Sequence, residues 1–595
     1  FDCVLGNPPW DTLSPDQREF FGKWVSGLRS MSPEDQRAAI TSLLEDSSIA
    51  AAWAAHCRDL FALVHFFKNS SVFTLYAPGN LGKGDFNIYR MFVETALRRV
   101  ADGRYATQIV PAGLYGGANA SAIRRFMFDQ NRLTFLAGCE NKAAAFFPGV
   151  HPQTWFSIYS VQVGGRTERF RVTFGIDSVE KANRARQESM ELEADLIRQL
   201  APETYAIPDL RNHSELITSR KMYAAGPPFG VVVPRTPHRH YQAELHMGND
   251  RDLFTTDPRG LPVYEGRMID AFDHRAKTYQ SGHGNSAVWI ERPFGDPQKA
   301  IVPQWRVLPE NIPNKLGDRC DRYRIGFGDV ANPRNERSFV ATLIPPRVIC
   351  GHKVPTVVFE SDHEWAYLPW LAVANSFAMD WLARSRLTAP TMSYTLLDSL
   401  PFPRLAQADS LVQQLAPVVL RLLCTAPEMT PFWNQMANLN LVRRVAEGES
   451  PPGVLDQPWD RARRRAELDA FIAARVFDLT MQELSDVLDT FEVLARRDAR
   501  EHGEFLTKRL ILDAFKAGAE FGVLSAPRRP PKPSAASVPP PTWMDEALVL
   551  PRAARVALSP ERYRAALVPQ LLYQAGGRTA FDRFRRAYWL LTEPK

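Results

Sequence analysis

The sequence lacks the cysteine pairs and the long apolar runs that mark zinc-binding, disulfide-bonded and membrane-spanning proteins. Its six cysteines, at positions 3, 57, 139, 320, 350 and 424, show no CxxC spacing. This distribution indicates neither a zinc knuckle nor a disulfide framework. No apolar run approaches the ~18 residues of a membrane span, and no signal peptide is visible. We therefore expect a cytoplasmic protein with no metal site and no membrane partner.

The chain also lacks a strong charge of one sign. Its formal net charge is +6 over 595 residues, which permits a polyanionic partner without demanding one. Apolar residues make up 45% and charged residues 23%, as in ordinary globular proteins. The length suits three or four domains.

The most informative stretch is Phe1–Trp10. The apolar run Phe1–Leu5 predicts a short, fully buried strand, which Gly6 ends. Proline has a fixed φ and keeps the residue before it out of the helical region, so Asn7-Pro8-Pro9 predicts a stiff, extended turn. The turn would lie at the carboxyl end of a strand, where ligands of open α/β sheets bind.

The polar groups of this turn suit a planar ligand with an exocyclic amine. Two prolines remove two N–H donors and leave carbonyl acceptors beside the Asn7 side chain, and Trp10 adds an aromatic face. The simpler alternative is a proline-rich loop beside a core strand. Asn-Pro-Pro-aromatic after an apolar strand resembles the catalytic motif of DNA methyltransferases that modify the exocyclic N6 of adenine.

Alternating helix and strand patterns follow. Helices are predicted at Ile88–Val100 and Ala120–Phe128, and strands at Tyr105–Val110, Leu133–Gly138 and Thr154–Val163. This order predicts a parallel α/β fold. The glycine-rich stretch before the first helix, residues 79–89, does not meet the P-loop pattern.

The same methyltransferases are similar to this chain at further positions. These are Asp85, Asn87, Tyr89, Phe92 and Glu94, then Ile109-Val110-Pro111, and Phe147-Pro148 before a strand. The resemblance implies S-adenosyl-L-methionine as cofactor, with Asp2, Asn7, Asn87 and Tyr89 beside it. It implies a catalytic role for Asn7, Pro8, Pro9 and Trp10. It also implies that Trp10 and Phe147 stack on a base extruded from the duplex. A core position is the alternative for Phe147.

Residues 226–405 are rich in Arg, Tyr, His and Pro, a composition that suits a DNA-reading surface. Stretches such as 244–254, 261–279 and 323–346 resemble the target-recognition domain of type IIG restriction–modification enzymes and of BREX and DISARM phage-defence methyltransferases. Candidate DNA contacts are Arg267, Arg275, Arg337 and Lys353, with a structural role as the alternative for each. The cluster at 270–274, which includes Asp273 and His274, predicts a structural hydrogen-bonded group rather than a metal site.

These patterns together predict an α/β chain with a partial Rossmann-like methyltransferase sheet, a mixed α+β recognition domain and a helical carboxyl-terminal region. The predicted boundaries are 1–185 for the catalytic part, 186–225 for a helical connector, 226–405 for target recognition, 406–525 for a helical domain, 526–542 for a Pro-rich linker and 543–595 for a small helical or winged-helix-like module.

One departure from the family concerns the cofactor. The family's glycine-rich cofactor motif precedes Asn-Pro-Pro, and no such strand–turn–helix is found in this sequence. The resemblance therefore implies the carboxyl-terminal part of a prokaryotic, nucleoid-associated adenine methyltransferase. It would need an upstream part of the same protein or a companion subunit, and would be inactive alone. The alternatives are a DNA-specificity module without catalysis, and a methyltransferase acting on RNA or on protein glutamine.

Overall fold

A six-stranded sheet with surrounding helices forms the first 200 residues. The computed structural model describes residues 1–524 apart from 76–85, 153, 233–238, 295, 297, 334, 361–362, 388–389 and 447–448. The strands are β1 (Cys3–Gly6), β2 (Tyr105–Pro111), β3 (Asn131–Glu140), β4 (Trp155–Val163), β5 (Arg169–Ile176) and β6 (Met190–Glu193). The helices are α1 (Gln17–Phe21), α2 (Pro33–Leu44), α3 (Ser47–Asn69), α4 (Tyr89–Arg99), α5 (Gly113–Gly116), α6 (Ser121–Asp129), α7 (Val179–Arg184) and α8 (Ala194–Leu200).

The sheet is mixed, in the order β1-β2-β4-β3-β5-β6. β1 runs parallel to β2 and β3 parallel to β5, whereas β4 is antiparallel to both of its neighbours. The positions of the predicted strands are confirmed, but the purely parallel arrangement is wrong. The loop 141–154 has no α-helix to carry the chain across the sheet, so β4 returns directly alongside β3. The carboxyl ends of β1, β2, β3 and β5 therefore share one edge with the start of β4.

The predicted burial of the first strand is wrong. β1 pairs with β2 alone among the described residues, and Phe1 and Leu5 are 77% and 80% exposed. A strand is buried throughout only when it has neighbours on both sides and cover on both faces. β1 is therefore an edge strand with exposed apolar side chains.

The core of this region lies between the sheet and the amphipathic helices α4 and α6. Val93 and Leu97 of α4, four residues apart, and Ile123 and Met127 of α6 point to the same buried cluster as Tyr159 of β4. Spacing of four residues places side chains on one helix face, so each helix covers the sheet with a single apolar stripe.

The segment predicted as a helical connector, residues 186–225, is only partly helical. It begins with β6, which pairs with β5, and continues through α8 to α9 (His213–Ala224). The prediction missed β6, a strand of only four residues whose alternating burial depends on its pairing with β5.

Short strands dominate the next region, in accord with the predicted mixed α+β composition. Two four-stranded sheets have the orders β15-β9-β12-β8 and β14-β13-β16-β7, and β10 and β11 form a hairpin. The strands are β7 (Arg239–Gln242), β8 (Phe254–Thr255), β9 (Leu261–Tyr264), β10 (Lys277–Ser281), β11 (Val288–Glu291), β12 (Trp305–Val307), β13 (Arg324–Phe327), β14 (Ala341–Ile344), β15 (Ile349–Cys350) and β16 (Thr356–Phe359).

Helices make up the remainder of the described chain, including the described part of the segment 406–525 that was predicted to be helical. They are α10 (Tyr367–Ala374), α11 (Phe377–Arg384), α12 (Tyr394–Ser399), α13 (Ser410–Leu423), α14 (Thr430–Asn438), α15 (Pro458–Phe471), α16 (Met481–Asp489), α17 (Glu492–His502) and α18 (Leu506–Lys516). Within the described ranges, no helix is both long enough and apolar enough to cross a bilayer. The predicted linker 526–542 and module 543–595 lie outside the described residues.

Candidate active site

The Asn-Pro-Pro-Trp corner follows directly after β1. Asn7 and Pro9 are exposed, Pro8 is buried and Trp10 is half-buried. The Asn7 side chain makes no hydrogen bond to any part of the chain that the structure describes. An exposed amide with free donor and acceptor positions is available to a ligand.

Hydrogen bonds hold this corner to two neighbouring elements. The Asn87 Nδ2 donates to the Trp10 carbonyl at 2.6 Å, and the Ile88 N–H donates to the Asp11 carbonyl at 3.0 Å, just before α4. On the other side, the Trp10 indole Nε1 donates to the Ile109 carbonyl of β2 at 3.3 Å. The corner is therefore fixed through the backbone and through the indole.

Asn87 and Tyr89, which the resemblance places beside the cofactor, are both largely buried. Asn87 is 9% exposed and Tyr89 is 5% exposed. Besides holding Trp10, the Asn87 Oδ1 accepts the Tyr89 N–H at 3.2 Å, at the start of α4. Asn87 supports the corner through its hydrogen bond to the Trp10 carbonyl, and Tyr89 lies next to it at the start of α4. Both side chains are buried and offer little surface to a ligand.

Asp2 does not reach the corner either. It precedes β1, where its carboxylate lies 3.4 Å from Arg104 and is 87% exposed. A strand rises about 3.3 Å per residue, so Asp2 lies about 16 Å from Asn7, at the opposite edge of the sheet. Of the four predicted cofactor contacts, only Asn7 is exposed at the carboxyl edge.

The structure brings Trp10 and Phe147 together in an edge-to-face contact, and their two faces are not parallel. Their ring centroids are 5.6 Å apart at an interplanar angle of 75°, and both rings also pack on Phe156 of β4. A base between two parallel rings needs a separation of about 7–8 Å, twice the contact distance between carbon atoms. The predicted two-walled slot is therefore closed in this conformation, with Phe147 occupying the space next to Trp10.

Asn141 organises the segment 141–150, which we call the aromatic loop. Its Oδ1 accepts the N–H groups of Phe146 and Phe147 at 3.2 and 2.9 Å. Its Nδ2 donates to the carbonyls of Phe147 and Val150, both at 3.0 Å. Asn141 is fully buried, and every donor and acceptor position of its amide is used. No sequence pattern indicates this role beyond an asparagine directly after a strand.

Two of the four predicted DNA contacts lie on the surface. Arg267 is exposed, with its guanidinium 3.4 Å from the Ala287 carbonyl. The Lys353 side chain is 45% exposed and its Nζ lies 2.7 Å from Asp329. Their loops adjoin, since a Cβ added at Gly266 would lie 3.3 Å from the Lys353 carbonyl. These two cations are accessible to a polyanion.

The other two predicted DNA contacts, Arg275 and Arg337, bond to groups of the protein itself. Arg275 is 7% exposed and donates to the Thr425 carbonyl at 3.1 Å. The Arg337 Nε lies 2.6 Å from the fully buried carboxylate of Asp380, and its Nη2 donates to the Asn375 carbonyl. Both guanidinium groups join separate segments of the interior.

The prediction of a structural cluster at 270–274 is confirmed. His274 Nε2 lies 2.9 Å from Glu428, and Asp273 is 2.9 Å from Lys299. Throughout the described part of the chain, no three metal-ligating side chains come together as a metal site would require.

Two stacked histidines beside Lys353 were not identified from the sequence. The rings of His246 and His352 lie 4.1 Å apart at an interplanar angle of 11°. The His246 Nδ1 accepts the Gly248 N–H, and the His352 Nδ1 accepts the Met247 N–H. Burial lowers the pKa of His352, and the neighbouring His246 and Lys353 lower it further. A neutral His352 thus carries its proton on Nε2 and can donate a hydrogen bond.

A cleft of about 770 Å³ opens beside the same sheet edge, next to Glu140 at the end of β3 and Trp155 at the start of β4. Arg211 lies between two carboxylates, 3.8 Å from Glu140 and 3.7 Å from Asp209. Burial raises the pKa of Asp209 to about 6 despite this cation. The positive charge of Arg211 is thus balanced by the carboxylates of Glu140 and Asp209.

Comparisons with known proteins give weak likenesses. No family model and no curated protein matches the chain. Among solved structures, it is similar to the type IIG restriction endonuclease BpuSI (14% identity, 87% of this chain, 55% of that chain, TM-score 0.27). It is also similar to the type IIL restriction–modification enzyme MmeI in complex with DNA (10% identity, 82% of this chain, 57% of that chain, TM-score 0.37). A third similar structure is a nuclease-deletion mutant of the type ISP restriction–modification enzyme LlaGI in complex with a DNA substrate mimic (10% identity, 70% of this chain, 41% of that chain, TM-score 0.34).

The chain thus spans 41% to 57% of the length of these three proteins. Their descriptions name a restriction endonuclease in the first case and restriction–modification enzymes in the other two. TM-scores below 0.5 do not establish a common fold, so these likenesses carry no assignment for this chain.

Proposed function

We propose that the chain carries the catalytic corner and the DNA-recognition region of an S-adenosyl-L-methionine-dependent DNA adenine-N6 methyltransferase of a restriction–modification or phage-defence system. The observation that carries this proposal is the exposed amide of Asn7, in an extended Asn-Pro-Pro corner beside the half-buried Trp10. The corner lies at the carboxyl edge of the sheet, where ligands of α/β folds bind. Its resemblance to the adenine methyltransferase motif supports the choice of substrate.

The chemistry follows from the acceptors of the corner. The lone pair of the adenine amine is conjugated with the ring, which makes the amine a poor nucleophile. The Asn7 Oδ1 and the Pro8 carbonyl would each accept one of its hydrogens and favour a pyramidal nitrogen with an available lone pair. S-adenosyl-L-methionine, when bound, supplies an electrophilic methyl group. The corner contributes positioning and electrostatic stabilisation. A strong base is not required before transfer, because the amine proton becomes acidic once the nitrogen carries the methyl group and then leaves to water.

The ring of Trp10 is the second element of the proposed site. An adenine within a duplex cannot reach the corner, so it must leave the base stack, and the lost stacking needs replacement. The Trp10 indole, held by the Ile109 carbonyl, offers a fixed aromatic surface for this purpose.

Asn7 is the one cofactor contact that fits among the four predicted from the resemblance, since Asn87 and Tyr89 are buried and Asp2 lies at the other sheet edge. Further residues would have to complete the cofactor site. The free edge of β1, with Phe1 and Leu5 exposed, supports pairing with another strand, from an upstream part of the protein or from a companion subunit.

Double-stranded DNA is the proposed partner of the region 239–360. The exposed Arg267 and Lys353 on adjoining loops supply positive charge for phosphates, and His352 beside them supplies a neutral donor. These residues, and not Arg275 or Arg337, are the proposed contacts.

A methyl-transfer assay tests this function. The natural protein that contains this chain is incubated with methyl-labelled S-adenosyl-L-methionine and with duplex DNA, RNA or protein, and the labelled product is identified. We expect N6-methyladenine in duplex DNA. Label only in RNA or in protein glutamine would establish one of the rival substrates. DNA binding without any transfer would establish a specificity module instead.

A further inference from the structure

The backbone of the aromatic loop adopts a conformation that its own residues do not favour. Ala143 and Ala144 have φ values of 52° and 57°, in the left-handed region. This region is unfavourable for an L-residue other than glycine. Two such residues in succession need support from elsewhere in the structure.

Asn141 provides this support. Its amide satisfies two N–H groups and two carbonyls of the loop, while its own N–H donates to the Thr154 carbonyl at 3.0 Å, on the far side of the loop. Replacing Asn141 with alanine would remove four hydrogen bonds to the loop backbone, and of the four backbone groups the Phe147 carbonyl keeps a second partner, the Val150 N–H at 3.1 Å. The position of the loop thus depends on one side chain that does not itself face the corner.

The consequence of this support is the placement of Phe147. The Phe147 N–H and carbonyl are both bonded to Asn141, so the ring is held where it contacts Trp10 and Phe156. A centroid distance of 5.6 Å leaves no room for a base between Trp10 and Phe147.

We propose that Asn141 is a positioning residue that holds Phe147 as the movable wall of the base-binding slot. An unstacked adenine enters by displacing the Phe147 edge from Trp10, and Asn141 then keeps the displaced ring close enough to pack on the base. The identity of the ligand rests on the function proposed above. The dependence of Phe147 on Asn141 does not.

Fluorine NMR tests that dependence without any substrate. The full chain carries 4-fluorophenylalanine at position 147, where the ring current of Trp10 shifts the signal, and Trp10→Leu defines the signal without this shift. We expect Asn141→Ala to move the signal to the Trp10→Leu position. The matched control is Asn131→Ala, because Asn131 is also buried on β3 and bonds the Phe126 carbonyl and the Gly164 N–H.

The control should keep the parental signal. A parental signal in Asn141→Ala would overturn the proposal. Should Asn141→Ala not fold, Asn141→Asp takes its place, because it keeps an oxygen for the two N–H groups of the loop and loses both N–H donors. We then expect a signal between the two reference positions, and a parental signal would again overturn the proposal.

Kinetics of the natural protein that contains this chain test the role in the slot. Asn141→Ala should lower kcat for duplex DNA about 10- to 100-fold while KM for DNA stays within twofold, as expected when a reacting group is misplaced. In a Phe147→Leu background the same change should lower kcat less than threefold, because Asn141 acts through the ring. Equal losses in both backgrounds would show a merely structural role.

The two experiments separate the two proposals. If the parental protein methylates no DNA while Asn141→Ala still displaces the fluorine signal, the proposed function fails and the positioning role stands. If the parental protein methylates DNA and the signal does not move, the positioning role alone fails.

Discussion

Replacement of Asn87 with alanine should loosen the Asn-Pro-Pro-Trp corner without removing any side chain proposed to contact substrate. The variant removes the 2.6 Å hydrogen bond to the Trp10 carbonyl and the 3.2 Å bond from the Tyr89 N–H. A partly buried acceptor that loses its partner costs about 1–3 kcal/mol, and the loss of the hydrogen bond from the Tyr89 N–H costs about 1 kcal/mol. The expected loss of local stability is about 2–4 kcal/mol.

Hydrogen exchange followed by mass spectrometry measures this loss directly. The amides of Leu13 and Ile88 donate to Phe86 and Asp11, and therefore report on the contact between the corner and the start of α4. We expect their exchange to accelerate about 30- to 1,000-fold, the factor that corresponds to 2–4 kcal/mol. Asn69→Ala is the control, because its exposed amide bonds only within α3. Unchanged exchange at both amides would refute the idea that Asn87 fixes the corner.

Three further predictions concern the recognition region and the helical core. The double variant Arg267→Ala with Lys353→Ala should weaken DNA binding and reduce the slope of log K against log salt by roughly 0.9 per lost phosphate contact, and an unchanged slope would contradict the proposed contacts. Arg337→Met should lower the free energy of unfolding by about 3 kcal/mol, because it leaves a fully buried carboxylate without one of its cations; a stable variant that only loses DNA binding would restore the original assignment. Burial raises the folded-state pKa of Asp469 from 3.8 to about 6, so its ionisation opposes folding and stability falls as pH rises through this interval. In urea unfolding, stability of the parental protein should fall by about 2 kcal/mol between pH 4 and pH 7, and Asp469→Asn should remove this fall; an identical pH dependence in both proteins would show that the carboxyl is not buried.

Local patterns in the sequence identified most elements of the sheet region. The helix before β2 and the strands β2 to β4 were predicted within a few residues, because glycine and proline punctuate apolar segments of consistent period. The burial of β1 and the direction of β4 were predicted wrongly. Both depend on which strands become neighbours, and an apolar run of five residues contains no information on its partners.

The site shows the same division. The rigid corner follows from Asn7-Pro8-Pro9 alone, because proline restricts the backbone whatever surrounds it. The sequence could not tell an exposed arginine from a buried one. Arg267 and Arg275 stand in similar sequence contexts, and only tertiary contacts bury Arg275. The role of Asn141 likewise depends on four backbone groups that the fold brings around it.

Turnover of the Asn7→Ala variant tests the central claim most directly. Asn7 is exposed and bonds to nothing among the described residues, so its replacement should change stability by less than about 0.5 kcal/mol. Methylation of duplex DNA by the natural protein that contains this chain should fall at least about 100-fold with DNA affinity retained, while the exposed control Asn69→Ala keeps the parental rate. Methylation by Asn7→Ala at the parental rate would contradict the assignment of the corner as the catalytic site.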